Sequence, residues 1–160
     1  MKLAFALVLV LAGCKADLPD LTDANMMIDA KCVSPHADTV VDFFPTSLMN
    51  TAAALRAPDT MSIALAKDNV LTVGFLGLGG ITDAPGNDVR VLGTVEAGAS
   101  ALVRVAGTDM DFRYAQTLTP TVSEIDIGAA EQNPVIYVRV IVVAGTVRID
   151  SFEAIHDTCQ

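Results

Sequence analysis

The sequence predicts an all-β fold, a sandwich or barrel of eight or nine short strands. Three observations carry this. Apolar residues recur with period two in many short stretches, as in Leu71, Val73 and Phe75, or Ala101, Val103 and Val105. Turn residues (Gly, Pro, Asn, Asp) fall between these stretches at short intervals. The strongest apolar run, Val135 to Val143, is rich in β-branched residues and far shorter than the roughly 20 residues of a membrane-spanning helix.

The chain is organised around Asn69 to Val95. This stretch reads as a hairpin, two strands joined by a loop holding Gly79, Gly80, Pro85, Gly86, Asn87 and Asp88, residues that suit turns and not strand interiors. Val89 and Val91 share one face of the second strand. Before it, Thr39 to Phe44 forms a first strand stopped by Pro45. Phe43 and Phe44 point to opposite faces, so one lies outside the core. Asn50 to Ala57 is Ala-rich and suits one helical turn, and Met61 to Leu65 is a short strand.

After the central stretch, Ser100 to Ala106 alternates with Arg104 outward, and Gly107, Thr108 and Asp109 turn the chain. Phe112 and Tyr114 lie on a short strand, and Val122, Ile125 and Ile127 lie around another that ends at Gly128. Pro134 precedes the central strand Val135 to Val143, with Ile136, Val138, Val140 and Val142 on one face and Tyr137, Arg139, Ile141 and Val143 on the other, which predicts burial on much of both sides. Ala144, Gly145 and Thr146 turn into a last strand, Val147 to Ile155. There Val147 and Ile149 fall out of phase with Phe152 and Ala154, which predicts a bulge near Asp150 and Ser151.

The 160 residues suit one domain plus extras, and the hydrophobic fraction of 52% is that of a globular protein. Ten Lys and Arg stand against 19 Asp and Glu, a net charge of −9. A chain this acidic repels nucleic-acid phosphates and anionic lipid surfaces. Its carboxylates suit either divalent cations or a solvated surface that keeps the protein soluble.

The N-terminus reads as an address. Lys2 is followed by an apolar run from Leu3 to Ala12, the pattern of a secretory signal. It ends in Leu11, Ala12, Gly13 and Cys14, which resembles the lipobox of bacterial lipoproteins. The resemblance implies a signal peptide over residues 1–13, cleavage before Cys14, lipidation of its thiol and acylation of its amino group, typically with palmitate. Loss of Lys2 leaves nine cations against nineteen carboxylates, a net of −10. Several acyl chains anchor a protein stably, at about 0.8 kcal/mol per buried methylene. Lys15 after the cysteine resembles an outer-membrane destination, facing the periplasm or the cell surface. Residues 14–31, polar and holding Pro19, read as a flexible tether, and residues 32–160 as the β-sandwich domain. With Cys14 lipidated, Cys32 and Cys159 remain, and an exported compartment permits a disulfide between them. Two free buried thiols are the alternative.

Ordered pieces of the domain resemble bacterial cell-surface domains with a galactose-binding-like jelly roll of the discoidin and carbohydrate-binding-module kind. They are Ala53-Ala54-Leu55 with Ala57-Pro58-Asp59, Leu71-Thr72-Val73-Gly74-Phe75, and Ile81-Thr82-Asp83 with Pro85-Gly86-Asn87-Asp88-Val89 and Val91. Val103 to Asp109, Phe112, and Ile149 to Ile155 follow in the same order. Ala84 departs from the family's usual Gly, and Leu92-Gly93 from its usual Phe-Glu. The resemblance implies a jelly-roll sandwich and a structural calcium, with Asp59 and Glu153 placed as its carboxylate ligands.

The residues offer further candidates. Asp83, Asn87 and Asp88 form a second oxygen-rich loop that suits calcium or, equally, an ordinary turn. If the first and last strands pair, His36 and His156 become neighbours of Asp38 and Asp157, as a transition-metal site or a solvated pair. Tyr114, beside Arg113 and Asp111, is the best aromatic for a ligand loop at a sandwich edge, in a chain with no Trp and two Tyr. Tyr137 suits a core position. No G-x-S-x-G, H-E-x-x-H or phosphate-cradling loop before a helix is present, so no enzyme is expected. The expected function is that of a non-catalytic, lipid-anchored envelope protein, a binding module for cell-surface glycan or another envelope protein. The alternative is a structural envelope component with no discrete small ligand.

Overall fold

The computed structural model describes residues 34–156. The expectations for residues 1–31, Cys14, Cys32, Asp157 and Cys159 lie outside the described residues. Within them run nine strands: β1 (Thr39–Phe44), β2 (Ile63–Ala66), β3 (Val70–Gly74), β4 (Val89–Val95), β5 (Ser100–Ala106), β6 (Arg113–Leu118), β7 (Glu124–Ile125), β8 (Tyr137–Ala144) and β9 (Thr146–Ala154). Thr51–Ala54 and Gly128–Ala130 are short 3-10 turns. No helix among the described residues is long and apolar enough to cross a membrane.

The strands form two antiparallel sheets. One has five strands in the order β1-β3-β8-β5-β6, the other four in the order β2-β9-β4-β7. The predicted all-β sandwich is what the alternation builds. Leu71, Val73, Val103, Val138 and Val140 of the first sheet and Leu65, Val89, Val147 and Ile149 of the second are all essentially fully buried, in one core. Phe44 is 61% exposed, while Phe43 packs against the core, as their opposite faces require.

One expectation is corrected. Asn69 to Val95 is not a hairpin: β3 pairs with β1 and β8, and β4 pairs with β7 and β9. The Gly- and Pro-rich loop carries the chain from one sheet to the other. Alternation fixes which face of a strand is buried, and both apolar faces here are buried equally well from opposite layers. Only β5 and β6 are consecutive strands paired with each other. The last strand carries the expected bulge. Leu92 pairs with Ser151 and Gly93 with Ile149, which leaves Asp150 as the extra residue.

The first and last strands are not paired along their length, because β3 takes β1. Only the residues before β1 reach β9: Ala37 N–H donates to Phe152 O at 3.1 Å, and Ala154 N–H to Pro35 O at 2.7 Å.

Candidate functional site

Two regions gather the polar groups that sequence reading singled out. The first lies where the β3–β4 loop meets the segment after β7. Asp83, Asp88 and Asp126 bring carboxylate oxygens within 4.8 Å of one another, the one such group of three among the described residues. Asp88 is fully buried. Its Oδ1 accepts the Ala84 N–H at 2.9 Å and its Oδ2 the Ile127 N–H at 3.0 Å. Asp126 accepts the Gly128 N–H at 2.8 Å. A Cβ on Gly128 would stand 3.1 Å from an oxygen of both Asp83 and Asp126, so the glycine lets the carboxylates approach. Three carboxylates, each with lone pairs left, supply part of the six to eight oxygens a calcium ion takes.

Asn87 has its amide partner on β7. Its Nδ2 donates to Glu124 at 3.2 Å. Arg90 bridges Glu124 at 2.9 Å and Glu153 at 3.1 Å. The hydrogen bond from Arg90, then that from Asn87, hold the Glu124 carboxyl below the usual carboxylate range. The same Glu124 bond raises Arg90 above its ordinary value, so it stays cationic throughout. A polar cavity of about 310 Å³ opens beside them, lined by Asn87, Gln116, Ser123 and Glu124.

Asp59 and Glu153, the calcium pair implied by the family resemblance, have separate partners. Glu153 accepts from Arg90. Asp59 accepts its own Met61 N–H at 2.5 Å, and its N–H donates to Asp150. Asp38 binds the start of the β3–β4 loop through the N–H groups of Leu76 and Gly77. It forms no three-ligand cluster with His36 and His156. The Nδ1 of His36 is buried without a hydrogen-bond partner among the described residues.

The second region is the outer face of the five-stranded sheet. Tyr114, expected on a short strand at a sandwich edge, lies on the edge strand β6 and is 51% exposed, and its hydroxyl is hydrogen-bonded to that of Thr117 at 3.1 Å. Arg113 pairs with Asp111 at 3.2 Å. Strand register then lines up one row across five strands: Asp42 opposite Thr72, Thr72 opposite Arg139, Arg139 opposite Arg104, and Arg104 opposite Tyr114. Arg139 donates to Thr72 Oγ1 at 2.9 Å, lies 3.6 Å from Asp42, and stacks 3.7 Å from the Phe112 ring centroid. Tyr137 sits half-buried on the same face, near Val41 over Gly74.

Sequence reading missed Asp126 and the Arg104–Arg139 neighbourhood. Arg104 is legible as an outward residue, but only strand pairing reveals what lies beside it. Comparison with protein-family models, with curated proteins and with solved structures finds no match. Fold and site define an antiparallel β-sandwich with an acidic loop cluster at one place and an arginine-aromatic sheet face at another.

Proposed function

We propose that this chain is a non-catalytic binding module, lipid-anchored through Cys14 in the bacterial envelope, whose ligand is a cell-surface glycan. The observation that carries the reading is Tyr114: a half-exposed tyrosine on an edge strand, flanked by Arg104 and Thr117. Sugar rings stack on such faces while neighbouring polar groups bond their hydroxyls. The galactose-binding-like jelly roll is part of the reading. It is supported by wholly antiparallel pairing and by a chain that crosses between sheets at every connection but β5–β6.

A structural calcium at Asp83, Asp88 and Asp126 is a further part, and so is a Cys32–Cys159 disulfide. The bonding of Pro35 and Ala37 to the end of β9 supports the disulfide. The second reading, another envelope protein as ligand, draws on exposed Phe44, Met49 and Met61. The structural alternative needs no ligand at all.

The test is a glycan panel probed with the full chain in detergent, alongside Tyr114→Ala. Binding that falls with Tyr114→Ala at unchanged melting temperature supports the reading. A silent panel, with a partner protein captured through Phe44 or Met49, replaces it with the second. Cell fractionation with Cys14→Ser, which should release the protein from the outer membrane, tests the anchor.

A further inference from the structure

We propose that the outer face of the five-stranded sheet selects acidic glycans, binding a sugar carboxylate between Arg104 and Arg139; this rests on the glycan-binding reading and adds the ligand's charge to it. Both arginines point outward, since each lies between two fully buried valines, Val103 and Val105 on β5, and Val138 and Val140 on β8. They are direct cross-strand partners. Opposite residues on antiparallel strands have Cβ atoms about 5 Å apart, and like charges in that relation repel. With 10 cations to 19 carboxylates in the whole chain, two adjacent arginines run against the background charge.

The two are not equivalent. Arg139 is held in place by Thr72, by the Phe112 ring and, more loosely, by Asp42, whose carboxylate is 59% exposed. Arg104 is exposed, and its guanidinium makes no hydrogen bond or ion pair among the described residues. One arginine is therefore fixed and the other keeps five free donors beside it. A carboxylate bridging them removes their repulsion and accepts planar, charge-assisted hydrogen bonds. Tyr114, the next residue along the row, offers a ring face to the same sugar or its neighbour.

Other anions suit this face less well. An anionic bilayer is drawn by clusters of four or more cations, while this row has two with Asp42 beside them, on a chain of net charge −9. An acidic peptide adds most readily at a sheet edge, and β8 and β5 are interior strands.

The experiment is calorimetric titration of the full chain in detergent with oligomers of galacturonate, mannuronate and glucuronate, with the galacturonate methyl esters as the uncharged control. At least one acid should bind, its ester about tenfold or more weaker, as expected when a charge-assisted contact is lost. Arg104→Gln should lose about tenfold at unchanged melting temperature, and raised salt should weaken binding of the wild type more than of the variant. Equal affinity for acid and ester, or binding insensitive to Arg104→Gln, overturns the charge assignment and leaves the glycan reading standing. No binding of these acids beside binding of a neutral glycan does the same. Arg104-dependent binding of phosphatidylserine vesicles or of a poly-glutamate peptide in place of the uronates also overturns it. Failure of every glycan, acidic or neutral, overturns both.

Discussion

Asp88 Oδ2 accepts the backbone N–H of Ile127 at 3.0 Å, which fastens the loop before β4 to the segment after β7. The other oxygen of the same buried carboxylate holds the Ala84 N–H. Asp88→Ala leaves both donors without a partner in a site that water does not reach freely. It should cost about 3 kcal/mol, since an orphaned buried donor loses roughly 1–3 kcal/mol. Asp88→Asn has one acceptor oxygen and should lose about half as much. Urea unfolding of the three proteins checks the order.

That carboxylate also marks how far the sequence could be read. Alternation gave the burial of β5 correctly, because Val103 and Val105 leave only one face for the core. On β8 only the face of Val138 and Val140 is fully buried, while the other, expected to be covered as well, is partly open, with Val143 46% exposed. Pro45 ended β1, and the phase slip between Ile149 and Phe152 placed the bulge at Asp150. Partnership between strands was not legible. Period two says which way a side chain points and nothing of what stands beside it, so β3 and β4 read as a hairpin although they belong to different sheets. For the same reason Asp126 stayed apart from Asp83 and Asp88, and Arg104 from Arg139.

Gly93, the one glycine on the strands of the second sheet, should resist replacement. Its φ is +148°, and an added Cβ would run into the backbone carbonyl of Arg148, across the bulge on β9. Neither backbone can give way without breaking the β4–β9 ladder. Gly93→Ala should cost about 3 kcal/mol, through strain and lost pairing together. Gly98→Ala is the control: φ is +79° there, but nothing stands within 4 Å of the added atom, so about 1 kcal/mol is expected. Melting curves of the two variants should separate clearly.

Calcium should stabilise the domain through Asp83, Asp88 and Asp126. Free ligand at a hundred times its dissociation constant adds about 2.7 kcal/mol to a protein that binds it only when folded. A melting shift with calcium, reversed by chelator, is expected for the wild type and absent in Asp126→Asn. Asp59→Asn should leave the shift intact, because Asp59 serves its own turn at Met61. A shift lost with Asp59→Asn instead would move the ion to the pair implied by the family resemblance.

The ion pairs around Arg90 predict an acid-side dependence with a defined sign. The Glu124 carboxyl is held below the usual range, first by the hydrogen bond from Arg90 and then by that from Asn87. A carboxyl whose value is lower when folded adds stability above its unfolded value, about 4.3, and that contribution disappears as pH falls through the depressed one. Arg90 remains charged over this whole range and adds no dependence of its own. Arg90→Met should therefore bring the Glu124 carboxyl back up toward the ordinary range, read from its carbon-13 chemical shift against pH. Asn87→Ala should move it in the same direction by less. The stability gap between wild type and Arg90→Met should be widest near neutral pH and narrow on acidification. A Glu124 titration unchanged by Arg90→Met would mean that the bridge seen at 2.9 Å does not persist in solution.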